Sequence, residues 1–309
     1  ATIVVLIFCK YLNIKILELK TIIFLIFYST ISFAQIDSTY IQEYPQKYSF
    51  RIFYQENYTT INEFRPNYPI GFGIGFSVKN TFINLKTGYN FISLKDKNKY
   101  GKTTSLDFKI IKYGRNFCID AYYLQTKGFY SVVDNQTKII NEFPDLELHH
   151  VSTEGMYVFN SEKFSLKAAF EQSEKQIKAN VGSVILSGGF YYNRLNNIHF
   201  LDNKGDIKNV QFGLKLGYGG SLYMGKARIS GLLALGANTG NEYSYVKELK
   251  LRIYPAGSYR IALSYFHNDW SISIIGVGHR EVVDVENIEF KITPNNAQLV
   301  FVKHFNHFF

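Results

Sequence analysis

His150, Ser152 and Glu154 stand at alternate positions in the stretch HHVSTEG. On a β-strand they share one face, and their types are those of a hydrolase: a serine nucleophile, an imidazole base and an acid to orient it. The spacing works against that chemistry. From His150 to Glu154 a strand covers about 13 Å at roughly 3.3 Å per residue, so contact among the three needs partners from other strands. His149 and His150 point to opposite faces and cannot easily share an ion, and no HExxH spacing occurs. They read as ordinary interfacial histidines, with no metal and no cofactor expected.

Two further stretches suggest phosphate chemistry. GFGIGF places Gly71, Gly73 and Gly75 in a superficial dinucleotide fingerprint, but that motif joins a strand to a helix, whereas here alternation runs straight through the glycines. GKTT at Gly101 to Thr104 ends like a phosphate loop, yet Asp96 occupies the place of the earlier glycine. Neither survives its context, and the chain is expected not to be an enzyme.

The elements that carry these residues are strands. After Ser49 the dominant period is two: Tyr48, Phe50, Ile52 and Tyr54 alternate with Ser49, Arg51, Phe53 and Gln55, and Ile70, Phe72, Ile74, Phe76 and Val78 with Gly71, Gly73, Gly75, Ser77 and Lys79. Val210, Phe212, Leu214, Leu216 and Tyr218 repeat the theme against Gln211, Gly213, Lys215, Gly217 and Gly219. Phe164, Leu166, Ala168 and Phe170 opposite Lys167 and Glu171 read as another strand. About fourteen such segments, each about ten residues long, match the length that spans a bilayer when tilted. Long links at Glu56 to Tyr68, Leu94 to Thr103 and Thr126 to Leu146 interleave with short turns at Lys79-Asn80, Gly114-Arg115 and Asn160 to Lys163. The order slips at Arg194 to Ile207, leaving twelve and fourteen strands both open.

Glycine selects the environment. It packs nothing and belongs where backbones crowd, as on the inside of a closed barrel, while Phe, Leu and Ile face acyl chains and Tyr marks the interfaces. A soluble periplasmic β-protein, the alternative, would set Thr, Lys and Glu on its wet face. Charges then belong to the lumen: Arg51, Lys86, Lys109, Lys167, Lys215, Arg228, Lys250, Arg252 and Arg260 against Asp107, Asp120, Glu154, Glu171 and Glu248. Mixed signs predict structural ion pairs across a narrow barrel, with the basic excess favouring anions along any solute path.

Composition agrees. There are 27 phenylalanines and 24 tyrosines against one tryptophan, and 19% of residues are charged. No apolar run approaches the roughly 18 residues of a spanning helix. The formal net charge is +9; the expected leader holds three lysines and one glutamate, so +7 remains, too thin a bias for nucleic acid. Lys15 and Lys20 precede TIIFLIFYSTISFA, the layout of a secretory signal cut before Gln35. The expected organisation is a signal peptide with extra upstream leader over residues 1–34 and one barrel domain over 35–309. Cys9 leaves with the leader, so Cys118 has no disulfide partner.

The polar stretch FEQSEKQIKANVGS, with Gln172, Glu174, Gln176 and Lys178, reads as a solvated loop or a ligand-binding lip. Lys95, Lys97, Lys99 and Lys102 could meet lipopolysaccharide phosphates. The chain ends LVFVKHFNHFF, with Leu299, Phe301, Phe305 and Phe309 in phase, like the closing strand that barrel-assembly machinery reads.

The stretches DSTYIQEYPQKYSFRIFYQ, RPNYPIGFGIGFSVKN and FSLKAAFEQSEKQIKANVGSVILSGGFYYNRL together resemble a family of outer-membrane barrels of Bacteroidota, catalogued as a domain of unknown function. The resemblance covers the chain from about Asp37 onward. It implies the fold and the location, and brings no activity or site residue. The expected protein is an all-β, closed antiparallel transmembrane β-barrel of about 12–14 strands in the outer membrane of a Gram-negative bacterium. It would be a porin-like narrow channel for small or anionic solutes, or a surface-binding barrel; a barrel-embedded lipid-modifying hydrolase is the alternative from another class. Its partners would be outer-membrane lipids and lipopolysaccharide, periplasmic chaperones and the barrel-assembly machinery.

Overall fold

The structure, a computed structural model, describes residues 37–78, 83–134, 139–177, 180–198, 206–242, 250–285 and 288–307. The leader, the Lys79-Asn80 turn, Glu248 and Phe309 lie outside them. In chain order the strands are β1 (Ile41–Glu43), β2 (Tyr48–Asn57), β3 (Thr60–Ile61), β4 (Pro69–Val78) and β5 (Ile83–Ser93). A short helix, α1 (Lys97–Tyr100), precedes β6 (Thr104–Tyr113), β7 (Phe117–Asp134) and β8 (Ile139–Val158). A π-helical turn (Lys167–Glu171) leads to β9 (Glu174–Gln176), β10 (Val181–Asn196), β11 (Asp206–Met224) and β12 (Ala227–Glu242). The chain finishes with β13 (Arg252–His267), β14 (Trp270–Val285), β15 (Ile288–Thr293) and β16 (Asn295–Phe305).

Twelve strands form a closed antiparallel ring in the order β2, β4, β5, β6, β7, β8, β10, β11, β12, β13, β14 and β16, with β16 returning to β2. Closure leaves no sheet edge around the ring, the condition for a β-structure in hydrocarbon. The alternation sorts as composition predicts. Phe212, Leu214, Leu216 and Tyr218 are 53%, 69%, 60% and 61% exposed, while Gln211 and Lys215 between them are buried. A face this apolar and this exposed belongs against lipid, and the protein is a transmembrane β-barrel. Leu214 sits near the middle of β11, so Leu214→Arg should cost about 2–4 kcal/mol, read as a lower urea midpoint for unfolding from detergent or bilayers.

One end of the ring carries short turns and the other long loops. Aromatic side chains collect near the turn end, where Tyr48 stacks on Phe76 and Phe305, and Trp270 lies against Tyr265 and Phe301. In β4, Phe72 and Ile74 face outward while Gly71 and Gly73 face in. A Cβ at Gly71 would lie 1.9 Å from the Tyr89 carbonyl oxygen, at the register shift between β4 and β5. Glycine is there because the neighbouring backbone is.

Two expectations fail. Phe164 to Phe170 is not a wall strand: it turns into the barrel, with a buried π-helical turn at Lys167–Glu171. Most of Thr126 to Leu146 is not a loop either, since β7 runs to Asp134 and β8 starts at Ile139, with Phe129 opposite Phe143. Removing the false strand also removes the slip at Arg194 to Ile207, which becomes a loop-end link in regular alternation.

Candidate functional site

The inward segment, residues 159–177, plugs the turn end. Phe164, Leu166, Ala169 and Phe170 pack with wall residues Phe53, Ile111, Met156, Ile185, Leu232, Ala262 and Val302 in one buried cluster. Charged groups fasten the plug at several points. Arg51 of β2 pairs with the Glu171 carboxylate, and its second terminal nitrogen donates to the Glu171 carbonyl at 3.1 Å. Arg228 of β12 donates to the carbonyls of Ala168 at 3.1 Å and Gln176 at 2.7 Å. His304 Nε2 lies 3.0 Å from the Gln172 carbonyl oxygen. Gln172 is fully buried in the left-handed conformation (φ 51°), a strained state for a residue with a side chain. β1 closes the assembly by pairing with β9.

Glu174 is the plug's own anchor. Its carboxylate accepts from Lys167 Nζ at 3.1 Å, Arg115 at 3.2 Å and Ser165 Oγ at 2.5 Å. Burial pushes its pKa up, but the two cations and the hydroxyl outweigh burial and hold it below the ordinary 4.5. A depressed carboxyl stabilises the fold fully above its unfolded pKa and loses that contribution as pH falls through the folded one. Acidification below pH 4.5 should therefore loosen the plug reversibly, seen as conductance steps in planar bilayers that vanish on return to neutrality.

The loop end closes by a different device. β14 pairs with β16 as far as Gly278–Asn295, then continues with β15 from Glu281–Ile292, and β15 pairs with β3. This three-stranded flap leans across the mouth. Gln211 Nε2 of β11 donates to the Val282 carbonyl at 2.6 Å, and Ile61, Phe64 and Ile292 pack with Phe129, Leu146, Leu148, Leu195, Ile198 and Ile207 in an apolar cap. Beside it, Lys95 Nζ lies 4.6, 4.9 and 5.0 Å from the ring centres of Tyr68, Tyr100 and Tyr130 and donates to the Tyr130 hydroxyl at 2.6 Å.

Between plug and flap lies a cavity of about 110 Å³, room for a few waters or one small solute. Phe170 and Glu171 form its floor and His279 belongs to its roof. The walls are apolar at Phe53, Met156, Ile185, Leu232 and Ile275, and polar where ion pairs cross the lumen. Asp120 accepts from Lys109 at 2.7 Å and from Arg260 at 3.0 Å. Glu154 pairs with Lys215 at 3.1 Å, and Lys215 donates to the Tyr191 hydroxyl at 2.9 Å. The cavity reaches the wall at Tyr259, Gly278 and Asn295, where β14 parts from β16.

The lumen charges expected from sequence divide into groups. Arg51, Asp107, Lys109, Asp120, Glu154, Lys215, Arg228 and Arg260 stand on inward positions of wall strands. Lys167 and Glu171 are in the lumen too, but on the plug and not on a strand. Lys250 and Arg252 are exposed at the loop-end rim, because β13 begins only at Arg252 and both precede the enclosed part of the barrel. The side chain of Lys86 and all of Glu248 lie outside the described residues. Among the described residues, Lys109, Arg260, Asp107, Asp120, Glu154 and Glu171 line the cavity, and Arg51 and Lys215 pair with Glu171 and Glu154, so these formal charges balance at four against four.

The triad types also part. Ser152 and Glu154 line the cavity, but Glu154 is taken by Lys215 and His150 Nδ1 lies 2.8 Å from Asn193 Oδ1. His150 instead meets His279 and Glu281 across the lumen, with one donor atom from each within 4.8 Å of the others. Sequence reading missed that grouping, since His279 and Glu281 belong to the flap. Their shared parity in GHREV is the only local signal.

Fold, outward face and filled lumen together define an outer-membrane-type β-barrel closed by its own chain. It belongs to the family described as a domain of unknown function, DUF4421, which matches residues 35–301. No curated protein matches the sequence. Among solved structures, the chain is similar to the beta domain of the Bordetella autotransporter BrkA (10% identity, 84% of this chain and 99% of that one, TM-score 0.40). The Escherichia coli outer membrane protease OmpT gives 8%, 84%, 97% and 0.37, and the P. putida toluene transporter TodX gives 8%, 85%, 91% and 0.33. Likeness at this level says nothing of what the barrel handles.

Proposed function

We propose that this protein is a gated, non-enzymatic barrel of the Gram-negative outer membrane that takes a small uncharged or zwitterionic solute into its central cavity and passes it only when the plug shifts. The observation that carries the reading is the plug itself: residues 159–177 fill the turn end and are held by arginines from two separate wall strands, Arg51 of β2 and Arg228 of β12. A buried left-handed Gln172 capping a π-helical turn is the kind of strained feature that collects where a structure has two states. Balanced charges favour a neutral or zwitterionic solute over the anion that composition suggested, and the mixed apolar and polar walls suit an amphipathic one. In this reading the turn end faces the periplasm, the apolar belt meets lipid and lipopolysaccharide, and insertion depends on periplasmic chaperones and the barrel-assembly machinery.

Purified, folded protein in planar bilayers tests it. At neutral pH the expected trace is flat. Stable conductance from the unaltered protein at pH 7 would mean an open pore and end the gated reading.

A further inference from the structure

We propose that His150, His279 and Glu281 bind a first-row divalent transition-metal ion that fastens the flap to the barrel wall. The three residues come from opposite sides of the ring: β8 carries His150, β14 carries the other two, and β10 to β13 separate them. They meet because β14 above Arg280 leaves β13 and leans inward, bringing His279 and Glu281, two residues apart on one face, toward β8. One donor atom from each then lies within 4.8 Å of the others, close enough to converge on one ion with small side-chain rotations.

The polar atoms of this cluster are left wanting. His150 is fully buried, and its Nε2, together with His279 Nε2 and Glu281 Oε1, makes no well-formed hydrogen bond. The last two sit 3.2 Å apart, at ion-pair distance. Buried polar atoms are almost always satisfied, and one cation would satisfy all three. Asn193 of β10 already orients the set: its Oδ1 lies 2.8 Å from His150 Nδ1, and its amide donates to Glu281 Oε2 at 2.7 Å. Since an amide oxygen only accepts, His150 donates from Nδ1 and keeps the Nε2 lone pair. Such outer partners fix the tautomer and angle of metal-binding imidazoles.

The donor set names the ion class. Two imidazole nitrogens and one carboxylate suit Zn²⁺, Co²⁺, Ni²⁺ or Fe²⁺ and do not suit Mg²⁺ or Ca²⁺, which prefer oxygen. His279 lines the central cavity, so an ion reaches the site from the lumen. The bound ion ties β14 to β8 across the mouth, and this binding stands whether or not the lumen conducts.

The test is titration of the folded protein in detergent, stripped with EDTA, with Co²⁺ followed by its visible absorption and with Zn²⁺ in competition. One equivalent of Co²⁺ is expected, displaced by Zn²⁺. Glu281→Gln, which still accepts from Asn193, and His279→Gln should each weaken binding by about 100-fold or more, and Asn193→Ala by about 10- to 100-fold. Failure of the unaltered protein to take up one saturable equivalent overturns the site without reference to any variant. Undiminished binding by folded Glu281→Gln and His279→Gln places the ion elsewhere and overturns it equally.

Discussion

Replacing Arg228 with alanine is expected to turn a silent barrel into a conducting one. The guanidinium is buried, lies 4.3 Å over the Phe266 ring, and grips the plug both within its π-helical turn and on β9 beyond it, through the carbonyls of Ala168 and Gln176. Hydrogen bonds from a charged donor contribute about 1.5–3 kcal/mol each. Loss of both raises the displaced population of the plug by about 10²- to 10⁴-fold at 1.4 kcal/mol per decade. Packing of Phe164 and Phe170 against the wall remains, so the barrel itself should still close and run as a folded species in electrophoresis. In planar bilayers the variant should show frequent steps where the parent shows none. Arg228→Lys keeps the charge but not the planar fork that reaches two carbonyls at once, and should fall between them. A folded Arg228→Ala barrel as silent as its parent would mean that the plug is a fixed part of the core.

The contrast between plug and wall also explains what the sequence could disclose. On β11, Leu214 and Lys215 meet opposite solvents, lipid and lumen, so a period of two is forced and legible. Along Phe164 to Phe170 the same period appears, but every residue of Lys167–Glu171 is buried. Alternation there reports nothing about faces, because the turn is enclosed on all sides. Glu174 and Gln176 read as loop residues because they are polar, yet their polarity serves Arg115, Lys167 and the Lys163 carbonyl inside the barrel. The His150, His279 and Glu281 cluster was hidden for another reason. It depends on the chain breaking at Pro294 between β15 and β16, so that the end of β14 leans over the mouth, and no local pattern encodes which far strand a flap will meet. Lys250 and Arg252 were misplaced because parity gives the face of a strand and not its height.

Asp120 carries the second large prediction. It is the point at which the lumen is cross-braced: Lys109 reaches it from the neighbouring β6 and Arg260 from β13, far around the ring. Asp120→Asn keeps the shape and removes the charge, leaving Lys109 and Arg260 with no anion between them. Leaving a buried ion uncompensated costs about 3–5 kcal/mol, more than half the stability of a marginal domain. The expected result is a large fall in the urea midpoint of unfolding from detergent, or failure to refold. The second substitution separates charge from shape. Adding Arg260→Gln to Asp120→Asn removes one orphaned cation and should recover part of the loss, whereas Arg260→Gln alone should destabilise, since it leaves Asp120 with only Lys109. Recovery in the double variant is the mark of a coupled pair. If the losses simply add, the brace is not electrostatic, and the cavity walls owe their shape to Phe53, Met156 and Leu232 alone.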